Sequence, residues 1–326
     1  MSYPRDFELP PPALQFLDRL HDDGKTNATL RRYAYDLADF YHYLRAAGYD
    51  SAVEIPKALT GEETEHFFEH LRHSRNYQLR TLKRIHTVLN QYFLYLREQK
   101  EIAINPVAYT SLNEPVWNEL TPEQLVSEKE MQQLLESVEG KNGLSERQQQ
   151  VRPLLAPRNL IMLKLFRYYG LQMQELSQLG RDHINLGQGT LSVGTAHTET
   201  REIVLTKSHQ RELNTYVNAI PEPVRPKPGR GDPLWVAFDF QRQTYRWNYE
   251  ADAPKQLSEV AIQKMIREEM KRAGLRSGLT AQHLRHTFII RELEKGTSPE
   301  MLETKLGLQS SLALERHLNY VGAKSQ

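Results

Sequence analysis

Two stretches, Tyr169-Gly-Leu-Gln-Met-Gln-Glu-Leu-Ser-Gln-Leu179 and Thr280-Ala-Gln-His-Leu-Arg-His-Thr-Phe288, decide how the chain is read. In the first, Gly170-Leu171 ends a helix expected from about Pro157 to Tyr169, and a short helix over Met173–Leu179 follows. The second opens a helix expected over 281–294. Each sets polar groups among apolar ones: Glu175 in the first, His283, Arg285 and His286 in the second. Arg285 suits either a phosphate or a buried ion pair with Glu175. His283 and His286 are three residues apart, a spacing that can bring two imidazoles together on a helix, but the reading expects no metal site and no cofactor.

Working outward, residues 13–110 carry a helical period. A short amphipathic segment spans Ala13 to Leu20. Thr26 and Asn27 offer caps for a helix from about Thr29 to Ala46, with Leu30, Tyr33, Leu37, Phe40, Tyr41 and Leu44 inward. Thr60 with Glu63 three places on is a capping-box pattern for a third helix. A fourth runs from about Gln78 to Gln99, and Asn105-Pro106 stops the helical region. Residues 111–126 read as a linker with Pro115 and Pro122. The second domain, 127–326, begins with a helix near Ser127 to Val138, and 141–152 reads as a polar gap. Strands are expected at His183–Leu186, Thr190–Gly194 and Glu202–Leu205. A Pro- and Gly-rich stretch over 221–233 carries no functional reading, and an apolar run over 234–238 follows it. Helices resume over 258–273, 281–294 and 299–306, with a last one around 311–320. The fold class is mainly α: a helical first domain (1–110), then a helical domain with a small antiparallel β-sheet.

Composition narrows the function. Hydrophobic residues at 39% and charged residues at 25% describe an ordinary globular chain. Nothing near the start resembles a signal peptide, and the most apolar stretch, 160–166, already holds Lys164, so no membrane segment is expected and a cytoplasmic location is. Without cysteine, disulfides, thiolate zinc sites and cysteine nucleophiles are excluded. Net charge is only +1, yet residues 71–100 hold seven Lys or Arg (Arg72, Arg75, Arg80, Lys83, Arg84, Arg97, Lys100) against one acid, Glu98. Such a stripe is either a solvated helix face or a surface for a phosphate backbone.

The opening stretches resemble the signature boxes of the tyrosine recombinases, the phage-integrase family. The first is similar to T-G-L-R-x-x-E-L and the second to H-x-L-R-H-[ST]-F. Leu306-Gly-Leu-Gln-Ser-Ser311, then Leu314-Glu-Arg-His-Leu-Asn319, is similar to the closing L-G-H-S-S box and the helix that carries a tyrosine. The helical first domain resembles the family's core-binding domain, with residues 29–33 and 81–84 in matching places. The resemblance implies double-stranded DNA as partner, clamped between the two domains. It also implies a tyrosine hydroxyl that attacks the scissile phosphate. Two arginines and a histidine or tryptophan stabilise the phosphoryl oxygens, a hairpin lysine serves as general acid, and a further histidine supports proton transfer.

Matched one at a time, five of those six positions differ. Gln172 stands for the first arginine, and no lysine occurs from Leu165 to Thr206. Gln282 stands for the histidine, with His283 one place late, while the second arginine is Arg285. Leu308 stands for the histidine or tryptophan, and His317 for the tyrosine, with Tyr320 three residues on.

These departures lead to the expectation of a DNA-binding protein without enzymatic activity, a transcriptional regulator or repressor of a phage or mobile element, as known for some recombinase-like proteins. Nine residues follow His317, too few for a further helix that docks on a neighbour. The candidate DNA contacts are Arg72, Arg75, Arg80, Lys83 and Arg84 in the first domain, and Gln263, Lys264, Arg267 and Arg285 in the second. Two other readings stay open: an active recombinase using Tyr320 as a displaced nucleophile, and an interaction module that binds a regulatory protein or peptide. The oligomeric state on DNA is left undecided.

Overall fold

Thr26 and Thr60 are each extended and offer a hydroxyl that accepts an amide of the next helix, from Thr29 N and Glu63 N, both at 3.3 Å. At Thr60 the box closes, since Glu63 Oε2 accepts from Thr60 N at 2.6 Å. The helices so started are α2 (Asn27–Ala46) and α3 (Gly61–His73). With α1 (Pro11–Asp22) and α4 (Leu79–Glu98) they make up the first unit. Leu37, Phe40, Phe67, Ile85 and Phe93 are fully buried at its centre, each stabilising the fold by about 1.5–3 kcal/mol relative to exposure. Tyr41 and Tyr92 satisfy each other's buried hydroxyls at 2.5 Å.

The computed structural model describes residues 9–49, 59–110, 112, 119–195 and 198–324. The chain divides into two units, 1–117 and 118–326. Residues 111 and 113–118 of the expected linker lie outside the described ones.

The second unit is built on α5 (Glu128–Glu139) and α6 (Glu146–Tyr169), followed by the short α7 (Met173–Ser177). An antiparallel sheet in the order β1 (Ile184–Asn185), β2 (Thr190–Thr195), β3 (Thr198–Val204) comes next. Then come α8 (Lys207–Ala219) and two small ribbons, β4 (Phe238–Asp239) with β5 (Thr244–Tyr245) and β6 (Trp247–Asn248) with β7 (Ala253–Pro254). Helices α9 (Glu259–Arg272), α10 (Ala281–Glu294), α11 (Pro299–Leu306) and α12 (Glu315–Lys324) close the chain. Trp235 is fully buried, stacks on Tyr216 and donates its indole N–H to Leu176 O at 2.7 Å.

Three expectations change. The polar gap at 141–152 is half helix: Ser145 caps α6 through Gln148, and the helix runs through Pro153 and Pro157. An interior proline removes one ladder bond. Buried Val151 and Leu155, and the ion pair of Arg152 with Glu269, hold the segment helical across it. Helix α8 lies where no element was expected, its apolar face of Leu213, Tyr216 and Val217 hidden in sequence by polar neighbours. The last helix reaches Lys324, past Tyr320. The 221–233 stretch is tied down, with Asp182 accepting from Gly229 N at 2.5 Å and Gly231 N at 3.0 Å. None of the described helices is long and apolar enough to cross a membrane.

Candidate functional site

Gly170 ends α6 in the left-handed region at φ 65, a conformation that favours glycine. A Cβ there would also lie 2.4 Å from Phe288 and 2.9 Å from Leu306. The tight approach brings the Gly170 carbonyl to the Arg285 guanidinium, which donates to it. Two residues on, the Gln172 backbone N–H donates to Glu175 Oε2 at 2.7 Å, so Glu175 turns back toward the start of α7.

Glu175 is the electrostatic centre, its side chain fully buried. Arg201 of β3 grips it with both Nη atoms, at 2.6 and 3.1 Å, and Arg285 lies 3.7 Å away. Burial pushes the Glu175 carboxyl up, but the hydrogen bonds and charge of Arg201, the Gln172 N–H and Arg285 outweigh it and hold the carboxyl below its usual range. Burial brings Arg285 down to about 10, with Glu175 opposing that fall. Two guanidinium groups thus share one carboxylate, leaving one positive charge in excess. Beside them is a cleft of about 410 Å³ lined by Gln172, Gln174, Glu259, Gln282 and Arg285.

Arg201 is the residue that sequence reasoning missed. Its signal was the hairpin register: Arg201 pairs with Val193, which is fully buried, so the two share the inward face. Of the hairpin turn where a lysine was sought, Ala196 and His197 lie outside the described residues.

The remaining positions separate. His283 accepts at Nδ1 from the Thr280 amide at 3.1 Å and so caps α10. His286 lies on another face, its Nδ1 2.8 Å from Nε2 of buried His317. That pair ties α12 to α10 one residue after Arg285. Burial, then the neighbouring charged or histidine groups, push His286 down to about 3 and His317 to about 4. Leu308 packs against the small core of Ile289, Leu302, Leu306 and Leu314. Tyr320 is half-buried one turn beyond His317, with the Lys324 ammonium 6.0 Å from its ring centre.

The basic stripe is not uniform either. Arg84 bonds buried Asp36 at 2.5 Å, and burial, opposed by Arg84, pushes that carboxyl up to about 6. Arg75 reaches Asp39 and the Tyr77 hydroxyl, each at 3.4 Å. Arg72 and Arg80 are exposed and Lys83 half-buried. On α9, Gln263, Lys264 and Arg267 are exposed, with Lys264 3.8 Å from Glu268.

No protein-family model matches the chain. Among curated proteins it is similar to tyrosine recombinase XerD of Pseudomonas putida, 25% identical over 294 residues, covering 90% of this chain and 87% of that one. It is also similar to tyrosine recombinase XerC of Azotobacter vinelandii, 24% identical over 298 residues, covering 90% and 85%. Among solved structures, XerH recombinase bound to a palindromic difH substrate superposes with a TM-score of 0.65 at 18% identity, over 94% of this chain and 80% of that one. A lambda integrase dimer bound to a COC' core site gives 0.63 at 16% identity, over 94% and 75%. The fold class is that of these proteins.

The expectation of a non-enzymatic transcriptional regulator or repressor is corrected by these relatives, which are named as recombinases and align along nine-tenths of the chain. That expectation assumed each chemical role must sit at one fixed spacing. Glu175 takes its closest guanidinium partner from another element, Arg201 of β3.

Proposed function

We propose, on the premise that this chain belongs to the tyrosine recombinase and integrase family, that it breaks and rejoins strands of double-stranded DNA in the cytoplasm. The observation that carries the reading is the pair Arg201 and Arg285 on Glu175, with Arg285 lining a cleft and the next residue, His286, bonded to His317 of the helix that bears Tyr320. Tyr320 is the only tyrosine after Tyr249. In the proposed reaction its hydroxyl oxygen attacks phosphorus as its proton leaves. The Oη–P bond forms, the bond from phosphorus to the deoxyribose oxygen breaks, and that oxygen takes up a proton. Reversal by a strand hydroxyl reseals the backbone. In this reading Arg285, the guanidinium that lines the cleft, stabilises the phosphoryl oxygens where charge develops, with Arg201 neutralising Glu175 behind it. Arg80 in the first unit, and Gln263, Lys264 and Arg267 on α9, offer exposed groups for the duplex.

The test is covalent capture. Genomic fragments retained by the purified protein are sequenced, and a recovered site is rebuilt as a nicked duplex that traps the intermediate. An adduct stable to denaturant is expected from the natural chain and absent from Tyr320→Phe. No adduct, or one that persists in Tyr320→Phe, overturns the reading.

A further inference from the structure

Away from that site, two buried guanidinium groups of the second unit share one carboxylate, and a third buried one, Arg158, bonds none. The side chains of Arg152 and Arg272 are 8% and 9% exposed, and Arg158 as a residue is 4% exposed. The acid shared by Arg152 and Arg272, Glu269, is 6% exposed at its side chain. Glu269 Oε1 accepts from Arg152 at 2.6 Å and Asn159 at 2.8 Å, and Oε2 from Arg152 at 2.9 Å and Arg272 at 2.7 Å. Four donors use the acceptor capacity of a carboxylate.

Nothing comparable serves Arg158. Its Nε and Nη2 donate to Asn159 Oδ1 at 3.3 and 3.2 Å, and Nη1 to Val236 O at 3.2 Å, all neutral oxygens. A guanidinium has five N–H groups, so two remain. Burial pushes the Arg158 guanidinium down, the direction of a charge short of compensation.

Arg158 also lines a cleft of about 910 Å³, within the range of small-molecule sites. Leu155, Phe238 and Met265, all nearly buried, supply apolar wall. Exposed Arg246 and Lys255 stand among its lining residues.

We propose that this cleft binds a small organic anion, its carboxylate, sulfonate or phosphate head on Arg158 and its apolar body against Phe238 and Met265. The head supplies the counter-charge that the protein lacks, and the body leaves water. A duplex backbone is the rival occupant, but a side chain this deeply buried is within reach of a slender head group only. The inference goes beyond strand exchange and does not depend on it.

The probe is 8-anilinonaphthalene-1-sulfonate, an aromatic sulfonate, titrated into the full chain by fluorescence. Its uncharged parent, N-phenyl-1-naphthylamine, is the control. Saturable binding of one probe per chain is expected, with the parent at least about tenfold weaker. Arg158→Met should weaken the sulfonate at least about tenfold without lowering the melting temperature, since it removes an uncompensated buried charge. Should Arg158→Met fail to fold, Arg246→Gln with Lys255→Gln, both exposed, should still weaken binding severalfold. Equal affinity for the two probes, unchanged affinity in the variants that fold, or displacement of the sulfonate by random duplex DNA overturns the proposal. Absence of an adduct from the natural chain, or its persistence in Tyr320→Phe, would leave this result standing, so the two failures are distinguishable.

Discussion

His286 and His317 show how one residue's neighbourhood sets its chemistry. Each imidazole is held neutral by burial, well below its ordinary value. The unfolded chain therefore binds more protons than the folded one between about pH 6.5 and 4, and stability rises with pH across that window. The pair's contribution is complete above about pH 6.5 and is lost as pH falls toward the folded values. We expect the natural chain to lose on the order of 5 kcal/mol by pH 4.5 from these two groups together. His317→Phe should flatten that part of the profile in urea melts at several pH values, whereas an equally steep profile would show that other groups set it. The sequence placed His317 where the family carries its tyrosine, but nothing in one dimension paired it with His286. Glu175 was similar: a guanidinium partner was foreseen in Arg285, and the closer one, Arg201, became legible only once β2 and β3 were in register.

At the scale of elements, a cap or a buried pair decides whether a helix face is available for binding. Arg80 and Arg84 sit one turn apart on α4, and the sequence treats them alike. Arg84 neutralises Asp36, whose side chain is 7% exposed, while Arg80 is exposed to solvent. Arg84→Met is therefore expected to destabilise the first unit by about 3 kcal/mol, because it leaves a buried carboxylate unpaired. Arg80→Met should stay within about 0.5 kcal/mol of the natural chain. Chemical denaturation of the two variants checks this, and equal losses would refute the distinction. Elements with a sustained period and a capping residue, such as α3, were legible from local chemistry. Helix α6 was not, because its prolines argue locally for a later start and the opposing interactions come from Glu269, far along the chain.

For the whole molecule, the question is where positive charge meets DNA. With net charge of only +1, affinity rests on local patches rather than on the global field. Each phosphate contact releases counterions, so removing contacts lowers affinity and flattens its salt dependence. We expect Arg80→Glu combined with Arg267→Glu to weaken duplex binding and reduce the slope of log affinity against log salt by about two. An unchanged slope would remove both side chains from the DNA surface. By itself, the sequence determined the class of the fold, the placing of most helices, the three family-like boxes and the absence of cysteine chemistry, because these depend on residue type and short-range spacing. The tertiary structure decided which charged groups are spent on one another: Arg84 on Asp36, Arg201 on Glu175, and Arg152 with Arg272 on Glu269. The physical reason is that a charge's role depends on its counter-charge and its exposure. Both are set by residues far apart in sequence, which chain order alone does not bring together.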